Sequence, residues 1–500
     1  MAEAPVTGRG PDYGDVQGLV RFGHGRMKQA SYALLRVRSV EAARAWLGSV
    51  PVTTAVATSA PPPTAVQVAF TAAGLEALGV PAAVRAGFSP EFLGGMAEES
   101  RSRRLGDVGE NAPSRWEWGS AGAAPHVLVM LFAEPGRLEA LVRSVTGTPW
   151  RDAFEALRWL ESEDLRAAEP FGFTDGISQP EVDWREERDA AAASVECRNV
   201  VALGEFLLGY RNEYGRYTDR PLLDASEPAA AGLPPAEDAP DRRDLGRNGT
   251  YLVLRQLRQD VRGFWRFLLA QSGGNLAEAE ALGAEFVGRR RNGEPLALDG
   301  SGDAGSGPDA VRLNRFTYDG DPGGVRCPIG AHVRRANPRN ADYVGHPSAL
   351  GRILADLGFG RRGLEDDLTS SVRFHRILRR GRAYGPWLPP ESAMAPAPPD
   401  DPERGLHFAC LNANICRQFE FVQNAWMAST KFSGLTGESD PLTGNREPIP
   451  GCPATDAFTL PQEAGLPRRV TGLPRFVAVR GGAYFFLPGL RALRYIAGAP

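Results

Sequence analysis

Lysine is almost missing from this 500-residue chain: only Lys28 and Lys431 occur, so nearly all of the positive charge is arginine. Neither lysine follows a glycine, and the phosphate-binding loop GxxxxGK[ST] is therefore absent in every register. Net charge is equally scarce. The 57 basic and 60 acidic residues leave −3, too weak a positive field for a nucleic-acid backbone, so no nucleic-acid partner is expected. No run of about eighteen apolar residues occurs, which argues against a transmembrane helix and a membrane partner. Met1 to Gly18 lacks the basic start and apolar stretch of a secretory leader. Cys197, Cys327, Cys410, Cys416 and Cys452 are scattered, with no CxxC, which excludes a zinc ribbon and predicts reduced thiols rather than a disulfide framework. The expectation is a soluble, cytoplasmic protein.

Histidine is also sparse. The six are His24, His126, His332, His346, His375 and His407; none stands three or four residues from another, and HExxH is absent. A multi-histidine metal site would need long-range convergence. A chemistry that uses one imidazole remains open, and haem ligation leads, because the porphyrin supplies four equatorial ligands.

What is present is a globular composition, 42% hydrophobic and 23% charged, long enough for two cores. Ser31–Ser39 reads as a strand followed by a helix over Val40–Leu47. Ala65–Phe70 and His126–Phe132 repeat the strand pattern, with helices near Leu75–Leu78 and over Arg137–Val145. A second series starts at Gly249: a strand over Tyr251–Leu257, a helix over Val261–Ala270, a strand over Phe408–Asn412, a helix over Phe419–Met427, and a hairpin over Phe476–Phe486 turning at Gly481-Gly482. Two series of strands and helices predict an α+β architecture in two similar halves. Leu222–Asp244, Gly300–Gly307 and Pro389–Pro402 read as loops, the last as an extended excursion.

Three segments carry chemistry. Phe171–Pro180 (FGFTDGISQP) places Asp175 beside Gly176, a pair that by itself marks a turn. Cys327–Asn340 (CPIGAHVRRANPRN) follows His332 with Arg334, Arg335 and Arg339; guanidinium groups match the carboxylates of haem propionates. Arg373–Pro386 (RFHRILRRGRAYGP) contains Arg379 and Arg380.

In order and local wording these segments resemble the dye-decolourising peroxidase family. Gly172–Gly176 matches its GxxDG motif, Cys327–Arg339 its proximal-histidine segment, Ile377–Pro386 its distal-arginine segment, and Arg404–Phe408 a strand lining its haem pocket. Softer similarity runs from about Val16 to Gly444. The resemblance implies an α+β fold of two ferredoxin-like domains, each with an antiparallel sheet and peripheral helices. The N-terminal one spans 16–210 and carries the GxxDG loop; the C-terminal one spans 245–500 and contributes most of the haem pocket. It also implies haem b with His332 as axial ligand, Asp175 as distal acid and Arg379 as distal arginine. Arg379 is preferred to Arg380 because it keeps the spacing to Tyr384. More remotely, Arg339 would hold a propionate, Leu406 and Phe408 would form the distal wall, and Asp440 would accept a hydrogen bond from the proximal imidazole. Gly381 stands where one branch of the family has asparagine, and Gly345–Asp367 reads as an insertion typical of the larger subclass.

The implied activity is a haem peroxidase that reduces hydrogen peroxide and oxidises small organic donors, dyes and phenolics among them, one electron at a time. Asp175 as base implies an acidic optimum. The alternative is a non-catalytic haem carrier or sensor, which would need neither Asp175 nor Arg379. Self-association is left open by the sequence.

Overall fold

The computed structural model describes residues 10–164, 168–187, 200–298, 313–314, 316–318, 320–339, 371–446 and 455–498. Gly300–Gly307 and Gly345–Asp367 lie outside them.

The first half is built on β1 (Gln29–Val37), β2 (Thr64–Phe70), β3 (Val127–Ala133) and β4 (Phe154–Glu161), in the order β4-β1-β3-β2 and antiparallel throughout. All seven residues of β3 are buried, because apolar layers cover both of its faces. This is why the strand reads as a continuous apolar run rather than an alternation. One layer includes the helix Val40–Ser49, started by Ser39, whose side chain accepts from the Ala42 N–H. Trp46 on that helix meets Trp150 and Phe154 edge-on.

Short strands follow: β5 (Glu181–Asp183) pairs in parallel with β6 (Val200–Ala202), and β7 (Leu222–Asp224) pairs antiparallel with β8 (Arg242–Asp244). The segment Leu222–Asp244, expected as loop, is thus tied at both ends by a small ladder. The second sheet half comprises β9 (Thr250–Gln259), β10 (Leu378–Arg379), β11 (Arg382–Tyr384), β12 (Gly405–Asn412) and β15 (Val477–Leu487); β13 (Phe458–Leu460) and β14 (Arg468–Val470) form a separate hairpin. Its order is β10-β12-β9-β15, with β11 also on β12. A single pairing, Phe486 with Phe70, joins the halves edge to edge into one nine-stranded sheet. Two antiparallel half-sheets with peripheral helices, joined into one sheet, thus give the α+β architecture that the sequence reading expects.

Three local expectations are corrected. The Gly481-Gly482 pair is not a hairpin turn: β15 runs straight through it, with a register shift against β9 between Val479 and Gly481. The glycines serve close approach, since a Cβ on Gly481 would stand 2.5 Å from the Trp118 indole nitrogen. Pro389–Pro402 is not wholly extended, because Pro390–Ala393 forms a helical turn with Pro389 and Pro390 at its start. The helix expected over Phe419–Met427 spans Cys416–Ala428 as wide π-type turns. Among the described residues no helix is long and apolar enough to cross a membrane, and Cys327, Cys410 and Cys416 are free thiols.

Candidate active site

The GxxDG loop is anchored by alternation. Phe171 and Phe173 point into a core with Phe264 and Trp265: Phe173 stacks parallel to Trp265, and the Trp265 indole N–H donates to the Phe171 carbonyl at 3.0 Å. Gly172 and Gly176 hold φ of +99° and +82°, values that a Cβ would penalise. The Thr174 N–H and hydroxyl both bond the Arg291 carbonyl. Asp175, between these fixed points, is turned into a cavity of about 290 Å³.

Arg379 reaches the same cavity from β10. Its main chain exchanges two hydrogen bonds of 3.1 Å with the Gln179 side chain, so strand and loop are clamped together. The guanidinium donates to Asp175 Oδ1 at 2.8 Å and to the Ser178 carbonyl at 3.3 Å. Arg380 instead bonds the carbonyls of Leu19 and Val20, so of the two neighbours only Arg379 serves the cavity. Burial would raise the Asp175 carboxyl, but Arg379, the Gly176 N–H and His332 together hold it below the usual carboxylate range.

His332 opens the short helix His332–Ala336 and also lines the cavity. Its Nδ1 lies 3.0 and 3.2 Å from the Asp440 carboxylate oxygens. A carboxylate can only accept, so Nδ1 carries the proton and the Nε2 lone pair is left free for a ligand bond. Asp440 is fully buried; its Oδ1 also accepts from the N–H groups of Leu442 and Thr443 and from the Thr443 hydroxyl. Burial opposes its ionisation, yet His332 and these donors bring it down to about 2. In turn Asp440 pushes the imidazole up against its own burial. Buried Arg335 pins this region, donating to the carbonyls of Gly330, Trp426, Ser429 and Glu438.

Leu406 and Phe408 line the cavity with Ile177, Leu257, Val333 and Phe419. Arg339 does not line it. That residue sits at φ +58° just past the helix, donates to the carbonyls of Asn314 and Phe316, and stacks over the Phe316 ring. Arg334 likewise bonds the Cys327 and Asp321 carbonyls. The arginines on the wall are Arg255, Arg289, Arg376 and Arg379. Arg289 and Arg376 escaped the sequence reading, although Arg376 stands only three residues before Arg379. Burial and neighbouring cations lower Arg376 to about 9 and Arg289 to about 10, the condition of a cationic corner suited to an anion. Glu169, also on the wall, was missed because an isolated glutamate carries no local signal.

A haem fits these residues. Among the described residues no three His, Cys, Asp or Glu side chains stand together as a metal site, so a metal at His332 must bring its other ligands with it. The wall is largely apolar, the imidazole is oriented from behind, and the cationic corner matches propionates.

No family model matches the chain. Among curated proteins it is 30% identical to a dye-decolorizing peroxidase of Mycetinis scorodonius over 463 residues, 88% of this chain and 78% of that one. It is 28% identical to a multifunctional dye peroxidase of Amycolatopsis, covering 85% of this chain and 81% of the other. A crystal structure of a decolorizing peroxidase from Auricularia auricula-judae superposes with a TM-score of 0.73 at 25% identity, covering 97% of this chain and all of that one. With likeness sustained over most of both chains in sequence and in fold, the chain belongs to the dye-decolorizing peroxidase family and is a haem peroxidase.

Proposed function

We propose that His332 would ligate the iron of a haem b held in this cavity, that Asp175 is the base acting on hydrogen peroxide, and that Arg379 stabilises the negative charge of the parting oxygen. The observation that carries the reading is the convergence of the Asp440-oriented imidazole and the Asp175–Arg379 pair on one apolar cavity. When bound, the haem iron supplies the oxidising equivalents taken from peroxide and returned to organic donors one electron at a time.

The chain's own residues do the rest. Asp175, held ionised by Arg379, accepts a proton from one peroxide oxygen and returns it to the other. Arg379 keeps its charge throughout and donates from a fixed direction. The Asp440 carboxylate keeps Nδ1 protonated and increases the basicity of Nε2. Leu406 and Phe408 exclude water beside the reacting atoms. The propionates fall to Arg289 and Arg376, which are on the wall, in preference to Arg339, which is not. The donors are small oxidisable aromatics; a solved relative is described in complex with 2,6-dimethoxyphenol. A haem carrier would need neither Asp175 nor Arg379.

The visible spectrum of the purified protein and of His332→Ala tests the ligand. Haem content and coordination unchanged in the variant would refute it. Stopped-flow mixing with peroxide tests the activity: rapid spectral change is expected, and its absence would favour a carrier.

A further inference from the structure

Two cavities share one wall residue. The second is a polar pocket of about 270 Å³, lined by Arg258, Asp260, Asp401, Glu403, Arg404 and Arg480 among others; Gln259 alone lines both it and the haem cavity among the described residues. The main-chain N–H of Gln259 donates to the Arg404 carbonyl, and its side-chain Nε2 donates to Glu169 Oε2 at 2.8 Å. Its Oε1 is buried and has no hydrogen-bond partner among the described residues.

Glu169 lies on the haem-cavity side of this amide. It accepts from the N–H groups of Phe171 and Phe173, at 3.0 and 3.1 Å, and pairs with no basic side chain among the described residues. Among the charged groups within its electrostatic reach are Asp175 on its own loop and His332. Burial lifts its carboxyl to about 7, with Asp175 acting in the same direction and the three donors opposing. It can therefore hold a proton at rest near neutrality, which Asp175, held low by Arg379, does not.

Such a group has work to do. Turning one hydrogen peroxide into two waters takes up two electrons and two protons. Asp175 can only move the proton that peroxide already carries, so the net protons must enter from outside. We infer that Glu169 and Gln259 form the proton entry to the haem cavity, a reading that rests on the peroxidase site assigned above. Glu169 lines the haem cavity and not the polar pocket; it releases its proton to water in the haem cavity and takes a replacement from water admitted past the Gln259 side chain, the residue that the two cavities share. One carboxyl O–H bond breaks and reforms, and no electron moves. Gln259 is the positioning residue: its Nε2 serves the carboxylate, and after rotation of the amide its Oε1 accepts from the carboxylic acid.

Glu169→Gln keeps the shape and abolishes proton carriage. In infrared spectra of the resting protein, with or without haem, a protonated-carboxyl band that titrates near neutrality is expected and should vanish in this variant. In stopped-flow experiments, return of the peroxide-oxidised enzyme to rest should slow about tenfold or more, a larger loss than on the peroxide step, with an altered solvent isotope effect. A retained band, or wild-type reduction rates and isotope effect, would overturn the proposal. Should Glu169→Gln fail to fold or to hold haem, Gln259→Leu decides, because it leaves both main-chain donors on Glu169. Slowed reduction with an altered isotope effect supports the entry, and wild-type kinetics overturns it. Because the infrared band does not require haem, it separates failure of this inference from failure of the His332 assignment.

Discussion

The two Asp-containing pairs that face the haem cavity are built to opposite ends. Asp440, beside His332, has no accessible surface and accepts from three further donors, whereas the Asp175 side chain is 42% accessible, with that surface on the cavity wall. The first arrangement leaves the imbedded carboxylate one state and the imidazole one orientation. The second leaves a carboxylate with free lone pairs beside a permanent cation, which is what a proton shuttle requires. On the proposed function, one aspartate is a fixture and the other a working part.

The sharpest way to break this contrast is Asp175→Asn. It removes the base and preserves the shape, so the rate of reaction with peroxide should fall by about 10²–10⁴ while the resting haem spectrum is retained. Arg379→Leu should cost about 10²–10³ in the same rate. It should also move the acid limb of the pH profile upward. Arg379 is a main force holding Asp175 low against burial, so without it the carboxyl protonates at higher pH and the base is lost sooner on acidification. A profile that stays in place would show that the pair does not govern the limb.

On the fixed side, Asp440→Asn should cost a smaller factor, about 10–100 in haem affinity or activity. It should also lower the iron–imidazole stretching frequency in resonance Raman spectra, because the ring loses its anionic partner. An effect as large as that of Asp175→Asn would erase the distinction drawn here. Smallest, and away from the chemistry, Gly481→Ala forces a methyl group against Trp118 and should destabilise by about 1–3 kcal/mol, read as a lowered melting temperature with an unchanged haem spectrum.

His332, Asp175 and Arg379 were legible because each lies in a segment whose neighbours are also constrained. Phe171 and Phe173 must fill a core, Gly172 and Gly176 must take positive φ, and Arg335 must cap buried carbonyls. Such local demands leave a recognisable run of residues. The arginines of the cavity wall were not legible. Whether Arg339, Arg289 or Arg376 faces the cavity depends on where a five-residue helix ends and which carbonyls lie within reach, and any arginine in this lysine-poor chain looks alike in the sequence.

The sequence by itself determined the strands with apolar runs, the absence of a phosphate-binding loop, and the three short segments that bear His332, Asp175 and Arg379, because those properties are set by neighbours along the chain. Tertiary structure alone decided that two antiparallel half-sheets join through Phe70 and Phe486, that a Gly-Gly pair is a bulge under Trp118 and not a turn, and that Gln259 stands between two cavities with Glu169 beside it in one of them. Each of these depends on residues brought together from distant parts of the chain, and contacts of that kind leave no periodicity to read.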